Sequence, residues 1–215
     1  MKNKFPVKLM MPFYILLLVL CLVLAQGGSK VVTVMVEHSP APVQNCIVID
    51  AGHGGVDGGA VSCTGAPESG INLQIAHRLD DLMHLLGFKT IMLRTEDASL
   101  HTEGSSIAQQ KVSDLKNRVR IVNEVENGVL ISIHQNSFSD KQYRGAQVFY
   151  ASDDESAKFA AQLQSAFIQT LNTQSNRKAK QAKGIYLMDH CSCRGVLIEC
   201  GLLTNPEEEA LLRSD

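Results

Sequence analysis

The alternation of apolar and polar positions along the chain predicts short buried strands separated by amphipathic helices. Residues 46–50 form a β-branched apolar run that ends in glycines, which is typical of a buried strand. Similar short runs predict five further strands, at residues 89–93, 129–134, 146–150, 185–188 and 196–200.

Helical spacing of apolar residues marks the segments between these strands. Residues 69–86 carry one apolar stripe, and Gly87 is placed to end the helix. Further helices are predicted at residues 112–126, at residues 153–171 and from Pro206 onward. Residues 95–110 are polar and without a period, so they are predicted to be a loop. Strands alternating with helices predict a single α/β domain, with a largely parallel or mixed sheet of about six strands flanked by helices on both faces.

The first 25 residues have the pattern of a targeting segment. Lys2, Lys4 and Lys8 precede an apolar run over residues 9–25. This predicts either a cleaved signal peptide or an N-terminal membrane anchor. In both cases the positive-inside rule places the rest of the chain outside the cytoplasm. Residues 26–45 are predicted to be a connector, and residues 46–215 the catalytic domain.

The charge and cysteine content argue against a nucleic-acid-binding protein and against a small disulfide-stabilised scaffold. The net charge of −2 gives no general attraction to nucleic acid, so no nucleic-acid partner is expected. A short basic run is interpreted as a solvated face. It consists of Arg177, Lys178, Lys180 and Lys183. Five of the six cysteines follow the leader, and an odd number cannot form a simple disulfide framework.

Side chains that bind metals or move protons follow three of the predicted strands. His53 comes shortly after residues 46–50, His134 ends the strand at 129–134, and Glu199 follows the apolar residues 196–198. Ligands of open α/β sheets bind beyond the carboxyl ends of the strands, so these side chains are expected at one edge. The glycine-rich loop after His53 is long enough to bring Glu68 back to the same edge.

These four residues together predict a zinc site with an adjacent carboxylate. His53, Glu68 and His134 offer nitrogen and oxygen donors, and three protein ligands leave a fourth position for water. Glu199 is costly to bury in an apolar strand unless it is compensated, and it is predicted to act as general base. Each residue alone has a simpler explanation, such as a histidine with satisfied hydrogen bonds or an acid at a helix N-terminus.

Three motifs resemble the zinc-dependent N-acetylmuramoyl-L-alanine amidases of bacterial cell walls (amidase_3 type). They are residues 49–60, 132–136 and 197–205, in the order of the family. The resemblance implies that His53, Glu68 and His134 bind Zn²⁺ and that Glu199 is catalytic. It also implies that the enzyme hydrolyses the amide between muramic acid and L-alanine in peptidoglycan. Similarity to the spore-cortex branch, at residues 144–150, 177–180 and 184–187, implies a role in cortex maturation.

Two departures from the family keep alternatives open. Ser69 stands where the family often has lysine, and the chain ends at Asp215, where the family usually continues through a longer helix. The first alternative is a catalytically impaired peptidoglycan-binding protein of the same fold. The second is a zinc hydrolase that acts on another amide. Contact with the membrane is expected only through the N-terminal segment, and the sequence identifies no protein partner.

Overall fold

The computed structural model of the protein describes residues 45–171 and 173–214. The predicted leader and all but the last residue of the predicted connector lie outside these residues. The strands are β1 (Cys46–Ala51), β2 (Lys89–Met92), β3 (Gly128–Asn136), β4 (Gln147–Tyr150), β5 (Lys180–Gln181) and β6 (Arg194–Leu202). The helices are α1 (Glu68–Leu85), α2 (Ile107–Asn123), α3 (Asp154–Thr170), α4 (Tyr186–His190) and α5 (Pro206–Leu212). None of these helices is long and apolar enough to cross a bilayer.

The strands form a six-stranded mixed sheet in the order β2-β1-β3-β6-β4-β5. The strands β2, β1, β3 and β6 run parallel, and β4 is antiparallel to β6. The short β5 is parallel to β4 at the edge of the sheet. This topology confirms the predicted α/β fold with a mixed sheet of about six strands.

Helices cover both faces of the sheet, as predicted. On one face, apolar side chains of the central strands pack with Ala76 of α1 and Ala160 of α3. On the other face they pack with Val122 of α2 and Met188 of α4. The second face carries Val48, Leu130 and Leu197. Because side chains alternate along a strand, this face continues into polar positions further along: Asp50, Ser132, His134 and Glu199.

The prediction of a strand at residues 185–188 was wrong. This segment enters the helix α4 at Tyr186, after Gly184 has turned the chain with a φ of +73°. Leu187 and Met188 are buried against the second face of the sheet. An apolar run this short has no period that separates a strand from a buried helical turn. The fifth strand is instead Lys180–Gln181, whose exposed polar residues carry no strand signal.

The predicted loop at residues 95–110 was too long, because α2 already begins at Ile107. The Ser106 side chain caps the helix by accepting a hydrogen bond from the Gln109 N–H. Ile107 is exposed, so the first turn of α2 contributes no apolar stripe to the sequence pattern. The first turn was therefore missed, although its serine cap was a usable signal.

Candidate active site

The structure brings the four predicted residues, three from strand ends and Glu68 from the start of a helix, to one edge of the sheet. His53 lies two residues beyond β1, Glu68 is the first residue of α1, and His134 is on β3. One ligand atom from each of these three lies within 4.8 Å of the others. Glu199 on β6 pairs in register with His134 across the parallel β3–β6 ladder. The placement follows from the parallel strands, because their carboxyl ends share one edge.

The Glu68 carboxylate lies between the two histidines. Its Oε2 is 3.3 Å from His53 Nε2, and its Oε1 is 3.1 Å from His134 Nδ1. The carboxylate also accepts hydrogen bonds from the backbone N–H groups of Ala60, at 2.9 Å, and Gln135, at 3.1 Å. Burial alone raises the pKa of Glu68, but the histidines and the Ala60 N–H lower it far below its ordinary value. The group is therefore ionised, as a metal ligand must be.

The donor set fits a zinc ion. Nitrogen and oxygen ligands lie about 2.0–2.2 Å from zinc, so two ligands at a tetrahedral angle are about 3.4 Å apart. The two oxygens of Glu68 contact His53 and His134 at 3.3 and 3.1 Å, close to this spacing, and one ligand atom from each of the three residues lies within 4.8 Å of the others. Two imidazoles and one carboxylate are also a combination that zinc accepts in catalytic sites.

Glycines and one strained residue create the space between the three candidate ligands. A Cβ atom added at Gly52 would lie 2.2 Å from His134 Nε2, and one added at Gly59 would lie 2.6 Å from Glu68 Oε2. His53 itself has a φ of +61°, a left-handed conformation that few non-glycine residues adopt. Such strain costs about 1–3 kcal/mol and persists only where the surroundings impose it. The backbone here is therefore shaped around the side chains of His53, Glu68 and His134.

Asp57 orients the His53 ring and was not recognised from the sequence. Its Oδ2 lies 2.9 Å from His53 Nδ1, and its Oδ1 lies 2.9 Å from Lys111 Nζ. With Nδ1 held by a carboxylate, Nε2 is the ring nitrogen that faces Glu68. This is the arrangement by which a second carboxylate fixes a metal-binding histidine. The spacing of four residues between His53 and Asp57 was the available signal, but it lies inside an irregular glycine-rich loop.

A buried arginine fixes the end of β1 beneath the site. Arg118 of α2 pairs with Asp50, and its Nη2 donates to the His53 carbonyl at 2.7 Å. Arg94 adds hydrogen bonds to the carbonyl oxygens of Ala51, at 2.8 Å, and Gly52, at 3.0 Å. These guanidinium groups satisfy backbone acceptors just where the chain leaves the sheet. Neither arginine was singled out from the sequence.

Arg118 and Asp50 both stay charged although they are buried. Burial alone lowers the pKa of Arg118, but Asp50 and Asp114 raise it above its ordinary value. Burial raises the pKa of Asp50, but Arg118, His134 and the Ser132 hydroxyl together bring it below its ordinary value. Both groups are therefore ionised at neutral pH.

Glu199 has the environment of a proton-transferring carboxylate. Its Oε2 is buried and has no hydrogen-bond partner among the described residues. Burial raises the pKa of Glu199, and the negative charge of Glu68 adds to this, while the two histidines oppose it. A raised pKa brings a carboxylate closer to the pH at which it can both accept and return a proton. A cavity of about 280 Å³ joins this group to His53 and His134.

The chain is similar in sequence to a known protein family and to a characterised enzyme. Residues 47–215 match the family described as N-acetylmuramoyl-L-alanine amidase. The chain is 39% identical over 168 residues to the germination-specific N-acetylmuramoyl-L-alanine amidase of Bacillus subtilis (strain 168), covering 77% of this chain and 70% of that protein.

Two solved structures are also similar. The CwlD amidase from Clostridioides difficile, solved in complex with the GerS lipoprotein, is 35% identical with a TM-score of 0.76, covering 80% of this chain and 89% of that one. An N-acetylmuramoyl-L-alanine amidase from Clostridium difficile 630 is 26% identical with a TM-score of 0.68, covering 80% and 87%.

Proposed function

Because this chain belongs to the N-acetylmuramoyl-L-alanine amidase family, we propose that it is a zinc-dependent hydrolase of peptidoglycan. His53, Glu68 and His134 hold the metal, and Glu199 is the catalytic carboxylate. The bond cut is the amide between the lactyl carbonyl of N-acetylmuramic acid and L-alanine. The observation that supports this most strongly is the convergence of three ligand atoms within 4.8 Å, beside a buried carboxylate oxygen without a partner.

Each residue has a distinct part in the proposed reaction. Zinc, when bound, polarises the scissile carbonyl and activates water for attack. Glu199 accepts the proton of the attacking water and passes it to the departing amine of L-alanine. Asp57 keeps His53 in the orientation that points Nε2 toward Glu68. Arg118 and Arg94 keep the backbone after β1 in the strained conformation that presents His53.

The C-terminal helix argues for the active enzyme over the impaired binding protein. Glu208 of α5 accepts hydrogen bonds from the N–H groups of Leu202, at 2.9 Å, and Gly145, at 2.7 Å. The buried Glu209 accepts hydrogen bonds from the hydroxyls of Ser62 and Thr64. The end of β6 beyond Glu199 is therefore held by α5. The ligand residues and the carboxylate that the reaction requires are also all retained.

The similar proteins indicate where and on which material this activity would act. One is a germination-specific amidase, and another is the CwlD amidase. A role in the spore cortex, outside the cytoplasm, follows for this chain, with peptidoglycan as its substrate. The predicted N-terminal signal or anchor would deliver it there. The complex of CwlD with a lipoprotein supports a protein partner for this chain as well.

The proposed reaction is tested by incubating the purified zinc-loaded protein with peptidoglycan. New L-alanine amino termini and released stem peptides are expected, and both should disappear after chelation and in Glu199→Gln. Wall binding without release by the unmodified protein would favour the impaired binding protein. Release of a different new amino terminus would favour a hydrolase of another amide.

A further inference from the structure

The described residues include a wide groove with basic walls near the proposed active site. Its volume is about 730 Å³. We call it the basic groove and define it by six of its lining residues: Asn136, Arg144, Gln147, Arg177, Lys178 and Lys180. Three of the four residues of the basic run seen in the sequence line it. The interpretation of that run as a solvated face therefore misses the cavity that its side chains border.

The basic groove adjoins the proposed site through two strands. Asn136 lies on β3 two residues beyond His134, which corresponds to about 7 Å along an extended strand. Gln147 pairs in register with Glu199 across the antiparallel β4–β6 ladder. A polymer bound at Glu199 can therefore extend into the groove within one or two residues.

The groove walls are positively charged and held in place. The residues that line it include four cationic side chains and no carboxylate. Gln147 Nε2 donates to the Lys178 carbonyl at 2.8 Å, and Arg177 Nη2 donates to the Arg144 carbonyl at 3.1 Å. Lys180 is fixed by its backbone pairing with Phe149.

Two of these cations are free to bind a ligand. Arg144 is paired with the exposed Glu207. Within residues 45–171 and 173–214, no carboxylate forms an ion pair with the exposed side chains of Lys178 or Lys180. Two ammonium groups on a fixed wall therefore face a groove without an internal counter-charge.

We propose that the basic groove binds the carboxylates of the stem peptide on the leaving side of the scissile amide. The identity of this peptide rests on the proposed function. A stem peptide attached through L-alanine continues into acidic residues, whereas the glycan strand beyond muramic acid is a chain of neutral sugars. Lys180 pairs with Phe149, which in turn pairs with Leu197 of β6, so the cationic wall lies two strand spacings, or about 10 Å, across the sheet from the strand that carries Glu199. An acidic group in the second or third residue of an extended peptide can cover this distance. Lys178 and Lys180 are thus determinants of specificity for an acidic peptide.

The test measures equilibrium binding of a labelled L-Ala-γ-D-Glu-L-Lys peptide to the full-length, zinc-loaded protein. The comparison peptide has the same sequence with every carboxyl converted to a carboxamide. The variant combines Lys178→Met and Lys180→Met, and Lys183→Met is the matched control because it removes a charge of the same run outside the groove. Thermal unfolding of each variant establishes that the fold is retained.

The double variant should bind the acidic peptide about fivefold more weakly, as expected for two partly exposed ion pairs. Lys183→Met should bind it as the unmodified protein does, and neither variant should change binding of the carboxamide peptide. Equal affinity of the double variant and the unmodified protein for the acidic peptide would overturn the proposal. So would an equal loss of affinity for both peptides.

This binding experiment needs no turnover, so failure of the groove proposal can be distinguished from failure of the proposed function. If peptidoglycan is hydrolysed but the double variant binds normally, the groove proposal fails and the proposed function stands. If the binding pattern is found but no amide is cut, the proposed function fails and the groove remains a site for acidic peptides.

Discussion

Replacing Arg118 by methionine should destabilise the fold strongly, because it removes one partner of a buried ion pair. Arg118 is only 2% exposed and Asp50 only 1% exposed. Without the guanidinium, Asp50 keeps the Ser132 hydroxyl as a hydrogen-bond donor at 2.6 Å, and the His53 carbonyl loses its donor. Breaking a buried ion pair in this way costs about 3–5 kcal/mol. For a domain of this size, this corresponds to a fall in Tm of about 6–20 °C.

The assay is denaturant unfolding at pH 7 of the unmodified protein and two methionine variants. Arg120→Met is the matched control, because Arg120 lies on the same helix and forms an exposed pair with Glu124 at 2.9 Å. Its loss should cost less than about 1 kcal/mol. The variant Asp50→Asn with Arg118→Met should recover part of the stability lost in Arg118→Met, because no uncompensated charge remains. If Arg118→Met costs no more than Arg120→Met, the buried pair does not stabilise the fold.

Three further predictions concern the ligand cluster and its support. Gly52→Ala should reduce zinc affinity at least about tenfold, measured by competition with a chelator, because the new Cβ would occupy the position of the His134 ring. Unchanged affinity would show that the ring can move aside. Asp57→Asn should weaken zinc binding about 10–100-fold in the same assay by loosening His53, whereas Asp80→Asn, which removes a charge on α1, should leave it unchanged. The pKa of Asp50 is lower in the folded protein than its ordinary value of 3.8. The stability that this difference gives is fully present at a pH above 3.8 and is lost as the pH falls toward the folded pKa. The free energy of unfolding should therefore fall more steeply below pH 4 in the unmodified protein than in Asp50→Asn, and equal slopes would contradict this.

Much of the fold was predictable because β1 is buried throughout and β3 and β6 are buried over most of their length. β1, β3 and β6 are short β-branched runs, and β-branched side chains covered on both faces leave a clear signal. The same regularity located His53, His134 and Glu199, since parallel strands deliver their carboxyl ends to one edge. The length of the loop after His53 allows Glu68 to return to this edge but does not require it, and the resemblance to the amidases supplied the rest of that prediction.

The elements that escaped prediction have no such periodicity. β5 is two exposed polar residues that are recognisable only by their pairing with β4. Residues 185–188 are as apolar as a strand, and their helical conformation depends on the turn at Gly184 and on packing under the sheet. Arg118 and Arg94 are single polar residues whose partners at the end of β1, the Asp50 carboxylate and the carbonyls of residues 51–53, are far away in the chain, so their roles depend on tertiary structure.

The most direct test of the central claim is the zinc content of purified variants after dialysis against a weak chelator. One zinc per chain is expected for the unmodified protein and for Glu199→Gln, because Glu199 is proposed to transfer protons and not to bind the metal. His53→Ala, Glu68→Ala and His134→Ala should each retain almost none while remaining folded by circular dichroism. Full zinc content in folded variants that lack any one of these three side chains would contradict the proposed metal centre.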